Sequence, residues 1–381
     1  MSWLTGYTYR KKVTITGQAG VGNNYQVKLQ IGNISGGDFN LSGHAASFPN
    51  DIRFTSNNGS TQLDYWIENV ATAPITVWIK VADSLNSNVD IYCYYGKASD
   101  TTTSSGTNTF EVFDDFNGST LDTSKWSISG GTTSLSGGIL TYTISGAYHS
   151  IRSILGFNSN VAFRIREKNT TNGSGWHHLL GFLDNYETQN ILINSAYNAN
   201  GQTTLYAHDS TSSDRQNIAY TWGSYSISEV TWTSGVAKAY QNNTYLGTLS
   251  FHIPTTSLQA AITGDDEKHE VDWILVRKYA SPEPTFSTAD SEELGITAYS
   301  MSLHPSETPC RTGICTIRAD ITWQNLGSSS ITFRPTIIID GTTYVQAASD
   351  ITIGTSPNTG SSSITTPTLS VGTHTICPYP N

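Results

Sequence analysis

Charge is what this chain has least of: only 13% of its 381 residues are Asp, Glu, Lys or Arg. The 20 basic residues are outnumbered by 30 acidic ones, and the longest basic cluster is Arg10-Lys11-Lys12. Phosphate binding needs a basic field, so this composition argues against a nucleic-acid partner. No apolar run approaches the roughly 20 residues of a membrane helix, so no membrane insertion is expected. Met1-Ser2-Trp3-Leu4-Thr5-Gly6 leads straight into Tyr9-Arg10-Lys11-Lys12-Val13, without the apolar stretch of a signal peptide. Synthesis in the cytoplasm without a signal peptide is therefore expected. Cysteine is scarce too, at four residues. C-x-x-C and H-x-x-x-H pairs are both missing, so no zinc site, and no metal or cofactor of any kind, is expected.

What the chain has in quantity is strand. In Gln26-Val27-Lys28-Leu29-Gln30-Ile31 apolar and polar residues alternate strictly, as a half-buried strand demands. Val161, Phe163 and Ile165 alternate with Ala162, Arg164 and Arg166, and Cys315, Ile317, Ala319, Ile321 and Trp323 form the longest such row. Short strands between Gly, Asn and Ser turns predict an all-β protein of three consecutive β-sandwich or jelly-roll domains. The polar stretch 101–109 and the segment Ser281-Pro282-Glu283-Pro284 with Asp290-Ser291-Glu292-Glu293 read as linkers. They divide the chain into 1–109, 110–285 and 296–381.

Few residues carry chemistry. Asp64 and Glu68 share a strand face but lie roughly 13 Å apart, too far for paired acid/base work. Asp265-Asp266-Glu267 reads as a solvated acidic turn rather than a calcium loop. None of the nine histidines sits at triad spacing from a serine in a recognisable elbow. Trp176, His177, Trp222 and Tyr225 lie in Gly/Ser-rich turn context and are the candidates for stacking on a sugar, against the alternative that their rings fill the sandwich or its rim. Cys93, within Ile91-Tyr92-Cys93-Tyr94-Tyr95, reads as a buried thiol. Cys310, Cys315 and Cys377 allow one disulfide at a time, with Cys310–Cys315 slightly favoured over a bridge to Cys377.

Several segments resemble known families. Trp3, Gly6-Tyr7, Tyr9-Arg10, Asp51-Ile52-Arg53-Phe54, Leu63-Asp64-Tyr65-Trp66-Ile67-Glu68, Val77-Trp78-Ile79-Lys80 and Tyr94-Tyr95-Gly96 resemble a domain family of unknown function found in surface proteins. Trp66 and Trp78 are expected as core anchors there. Phe113-Asp114-Asp115-Phe116-Asn117, Lys125-Trp126 and Val271-Asp272-Trp273-Ile274-Leu275-Val276-Arg277 resemble concanavalin-like lectins and glucanases. That resemblance implies a catalytic strand of pattern E-x-D-x-x-E. Glu270 and Asp272 supply its first two positions, but Leu275 stands where the last acid belongs, so no hydrolase is expected. Cys310 to Cys315, Trp323-Gln324-Asn325-Leu326-Gly327 and Gly372 to Cys377 resemble Ig-like stalk and adhesion modules.

By domain order and cysteine-bearing terminus, the whole chain resembles the turret proteins of Sulfolobus turreted icosahedral viruses. This implies a structural virion protein forming a spike at the capsid five-fold vertex and contributing to host attachment. The expected partners are other capsid-vertex proteins, itself as a homo-pentamer, and a host surface glycan or protein. The first domain would be capsid-proximal or the stalk base, and the expected location is the virion surface. The alternative is a cellular adhesin or carbohydrate-binding protein without hydrolytic activity.

Overall fold

A computed structural model describes residues 3–69, 73–146, 148–169, 177–185, 188–196, 202–306, 315–326, 330–354, 358–370 and 373–380. Among these the architecture is all-β, with one helical turn at Gly106–Thr109. The first sandwich packs the sheet containing Tyr9–Thr16, Val89–Tyr95 and Arg53–Ser56 against the sheet containing Tyr25–Gly32, Ile75–Val81 and Tyr65–Asn69. Period-two patterning builds it: Val27, Leu29 and Ile31 are buried while Lys28 and Gln30 face out. Buried Asp51 accepts hydrogen bonds from the backbone N–H groups of Ala46 at 2.6 Å and Gly96 at 3.0 Å. Gly96 has φ +80°, and a Cβ there would lie 2.6 Å from the Tyr9 ring, so both backbone and space call for glycine.

The second sandwich stacks a seven-stranded sheet on an eight-stranded one. Phe163, Ile165, Phe182, Trp232, Ile262 and Ile274 are among the side chains that fill the space between them. Its opening motif has a structural purpose: buried Asp114 accepts from Trp126 Nε1 at 2.7 Å and from the Phe116 N–H at 3.0 Å. In the third unit the expected long row is seen in Ile317–Asn325, with Ala319, Ile321 and Trp323 buried.

The stretch 285–294 is not a free linker. Thr285–Ala289 and Glu293–Leu294 both pair antiparallel with Tyr9–Thr16, adding edge strands to the first sandwich. Phe286 draws the chain back, stacking on Phe39 at 6.1 Å against the first core. Backbone hydrogen bonds from Gly6 to Leu326, Leu326 to Gly295 and Gly295 to Thr8 then fasten the third unit to the first. The first sandwich therefore contacts both of the others.

Trp66 and Trp78 are not anchors of the first core. Tyr65 and Ile67 turn into that core, whereas Trp66 turns the other way, and both tryptophans join Phe110, Phe113, Trp273 and Leu275 in a cluster between the first two sandwiches. Beside it lies an ion network. Arg164 contacts Glu68 at 2.8 Å and Glu229 at 3.0 Å, and Arg277 contacts Glu229 at 3.2 Å and Glu283 at 2.5 Å. The two arginine side chains are only 2% and 1% exposed. Burial pushes the Glu229 carboxyl up, but Arg277 and Arg164 prevail and hold it below its ordinary value.

Two outcomes follow from this joint. Arg164→Ala strands buried carboxylates and should cost about 3–5 kcal/mol, read by denaturant unfolding of the full chain. Exposed Arg318→Ala should stay within about 0.5 kcal/mol. Because the folded Glu229 carboxyl titrates lower than the unfolded one, its contribution is complete above the ordinary value of 4.5. It is lost as pH falls through the lower folded value. Thermal midpoints measured against pH should therefore drop on the acid side, and Glu229→Gln should flatten that limb.

Candidate functional site

The strand Lys268–Lys278 carries Glu270, Asp272 and Leu275, and also His269. Against Val161–Asn169 it carries one extra residue: Arg166 faces Trp273 and Glu167 faces Val271, leaving Asp272 unmatched. This bulge reverses the parity of the strand. Before it, His269 and Val271 point between the sheets; after it, Ile274 and Val276 do.

On the outer face, Glu270 meets Lys168 at 2.9 Å and Asp272 pairs with Arg166. Its hydrogen bond to Lys168 holds the Glu270 carboxyl below the usual range. Leu275, where a third acid would stand, is fully buried under the first sandwich with Trp66 and Phe113. A retaining glycosidase needs a carboxyl that keeps its proton beside a second one that does not. This face offers salt-bridged carboxylates and a covered leucine. Asp64 is exposed, and Glu68 is committed to Arg164 and to Trp78 Nε1 at 2.7 Å.

The four aromatic candidates do not form one platform. Trp176 lies outside the described residues, as does the side chain of His177, whose backbone opens His177–Asn185. Trp222 packs inward: its ring lies 4.3 Å from His178 and 4.1 Å from Tyr220, and its Nε1 donates to Thr203 Oγ1 at 2.8 Å. Tyr225 sits on the outer face beneath the cations of Arg166 at 4.7 Å and Lys168 at 5.5 Å. The acidic turn also divides. Asp266 accepts from the Gly146 N–H at 2.7 Å, while Glu267, expected in solvent, is buried.

Among the cysteines, Cys315 is disulfide-bonded, whereas Cys377 is a free, exposed thiol and so is no bridge partner. Cys310 lies outside the described residues. Cys93 is the other free thiol, and burial pushes its pKa up.

A polar cluster between the sheets was not expected from the sequence. Glu167, His178 and His269 are 1%, 0% and 0% exposed, and one ligand atom from each lies within 4.8 Å of the others. Glu167 Oε1 is 3.5 Å from His178 Nε2, and its Oε2 is 3.9 Å from His269 Nδ1. The Asn169 side-chain amide lies 2.7 Å from His178 Nδ1. Glu167 Oε2 and both ring nitrogens of His269 have no hydrogen-bond partner among the described residues. Each such buried atom costs about 1–3 kcal/mol. Burial pushes the Glu167 carboxyl up to about 7, against the pull of His269. Burial likewise pushes His178 down to about 3 and His269 well below the usual value.

One signal for this cluster was present in the sequence. The row Val161, Phe163, Ile165 continues by parity to Glu167 and Asn169. The bulge that aligns His269 was not legible.

The opposed placements of Trp222 and Tyr225 give opposed expectations. Trp222→Ala should cost about 3 kcal/mol as a large packed ring is lost. Tyr225→Ala should cost about 1 kcal/mol, the scale of its cation contacts. Urea unfolding of the two variants measures the difference.

A domain family described as "Domain of unknown function (DUF2341)" matches residues 49–129. No curated protein sequence matches the chain. Among solved structures, the chain is similar to a glycosyl hydrolase family protein from Mycobacterium fortuitum, at 15% identity and TM-score 0.38, over 44% of this chain and 99% of that one. It is similar to a beta-1,3-glucanase from Mycobacterium marinum at 15% identity and TM-score 0.37, over 45% and 99% of the two chains. The same figures, 15%, 0.37, 45% and 99%, hold for an immunostimulatory antigen and pseudo beta-1,3-glucanase of Mycobacterium tuberculosis.

Proposed function

We propose that this is a non-hydrolytic structural protein of a virion exterior, a turret subunit at a capsid vertex that works by assembly and attachment. The observation that carries the non-hydrolytic half is the covered strand. The face that would hold a catalytic triplet ends in Leu275 beneath the first sandwich, and its two acids are held by Lys168 and Arg166. The assembly half rests on the sequence resemblance together with the cemented joint between the first two sandwiches, which suits a rigid stalk. In this reading the chain forms a homo-pentamer against capsid-vertex proteins and meets a host surface glycan or protein.

A second reading, a cellular sugar-binding adhesin, is favoured by Tyr225, an aromatic ring on a half-exposed face flanked by fixed charges.

Fractionation separates the two readings. The protein should sediment with intact virus particles, in a stoichiometry that is a multiple of the vertices. Recovery with host envelope and none with particles would overturn the turret reading. Incubated with beta-1,3-glucans, beta-1,4-glucans and mucin glycans, the full chain should release no reducing ends. Release that Glu270→Gln abolishes would overturn the non-hydrolytic reading.

A further inference from the structure

We propose that Glu167, His178 and His269 bind one divalent transition-metal ion of the zinc class, cross-linking the two sheets of the second sandwich. This inference is independent of the turret reading.

The argument begins with donor type. Two imidazoles and a carboxylate are ligands for zinc, cobalt or nickel, whereas calcium and magnesium prefer oxygen alone. Spacing comes next. Ligands about 2.1 Å from a tetrahedral ion stand about 3.4 Å from one another. His178 Nε2 and Glu167 Oε1 are 3.5 Å apart, too long for a good N–H···O hydrogen bond but the length of a tetrahedral edge. His269 Nδ1 lies 3.9 Å from the other carboxylate oxygen.

Unmet valence points the same way. His269 is fully buried, and neither of its ring nitrogens has a hydrogen-bond partner among the described residues. Native interiors rarely leave such atoms unserved, and an ion is one of the few things that would serve them here.

A bound ion requires two local rearrangements, at Asn169 and at one of the imidazole rings. The Asn169 amide nitrogen donates to Glu267 Oε2 at 2.6 Å and lies 2.7 Å from His178 Nδ1. Metal binding through His178 Nε2 therefore requires this amide to exchange its contact with Glu267 for the Nδ1 proton. The His178 and His269 rings are stacked at 4.1 Å with 19° between their planes. Binding therefore turns at least one ring about its Cβ–Cγ bond so that the lone pairs converge. His178 belongs to the seven-stranded sheet, while Glu167 and His269 belong to the eight-stranded one. Three protein ligands from two sheets leave a fourth coordination position.

Because the cluster is closed to solvent, the ion is best supplied while the chain folds. The full chain, carrying Cys377→Ser to remove the exposed thiol, is produced in cobalt-supplemented medium, purified and dialysed. The expected result is one cobalt per chain by elemental analysis, with visible ligand-field bands of a tetrahedral site. Protein produced in zinc-supplemented medium should carry zinc in place of cobalt and show no bands, and protein produced without either metal should have a lower thermal midpoint.

Two further variants test the ligands. Glu167→Gln keeps the shape of the side chain, and His269→Phe fills the same volume without a donor. Each should lower the retained cobalt about tenfold or more. Near-UV circular dichroism and a cooperative unfolding transition verify that each variant folds; should His269→Phe fail to fold, Glu167→Gln decides. Dialysed protein without cobalt, or cobalt content unchanged in a folded variant, would overturn the proposal.

Discussion

Two arginines buried on the same sheet face set the terms for the rest of this molecule. A guanidinium does not escape burial by losing its proton, so Arg164 and Arg277 must each be met by carboxylate. Glu229 sits directly across from Arg164 on the neighbouring strand and serves both, but one carboxylate does not balance two cations. The remaining charge comes from outside the sheet: Glu68 from the first sandwich and Glu283 from the segment that leaves the second. The second sandwich thus presents a face that is complete only when the first sandwich and the returning chain lie on it. Buried ion pairs of this kind add little net stability over an apolar contact, but they punish a wrong docking severely. Trp66, Trp78, Phe110 and Trp273 supply the apolar burial beside them, so attraction and specificity come from adjacent side chains.

The same joint accounts for the path of the chain. After Glu283 has reached Arg277, the backbone is already beside the first sandwich. Phe286 then finds Phe39, and Thr285–Ala289 adds to the open edge of Tyr9–Thr16. An uncovered edge strand is a liability, and the returning chain covers it. The third unit is consequently hung from the first rather than from the second. Order in sequence is one, two, three; order of attachment places the first between the others.

Much of this was legible in residues taken one strand at a time. Alternation alone identified the inward rows Val27, Leu29 and Ile31, then Val161, Phe163 and Ile165, then Ala319, Ile321 and Trp323, although in the second of these strands the opposite row, Ala162 and Arg164, is buried as well. What alternation does not report is what lies against the second face. Trp66 and Trp78 read as core residues because they are large and apolar, yet the surface they bury belongs to another domain. Segment 281–294 read as a linker because it is rich in proline and acid; those acids are the ion-pair partners of Arg10, Lys12 and Arg277. Trp176 and His177 read as turn context because glycines precede them, which hid His178 beside them, the start of an inward row continuing to Leu180 and Phe182.

The single extra residue at Asp272 joins the candidate polar cluster to the interdomain joint. A one-residue change of register exchanges the two faces of a strand. Without the bulge, a strand that buries Ile274 and Val276 would carry Glu270 and Asp272 inward with them and expose His269 and Val271 to the outer face. With it, one strand satisfies both sides. Its first half places His269 against Glu167 and His178 inside the sandwich while Glu270 and Asp272 meet Lys168 and Arg166 outside. Its second half buries Ile274 and Val276 while Trp273, Leu275 and Arg277 meet the first sandwich. The residues that resemble a catalytic strand are thereby divided between two structural tasks, one inside the second sandwich and one at its joint with the first.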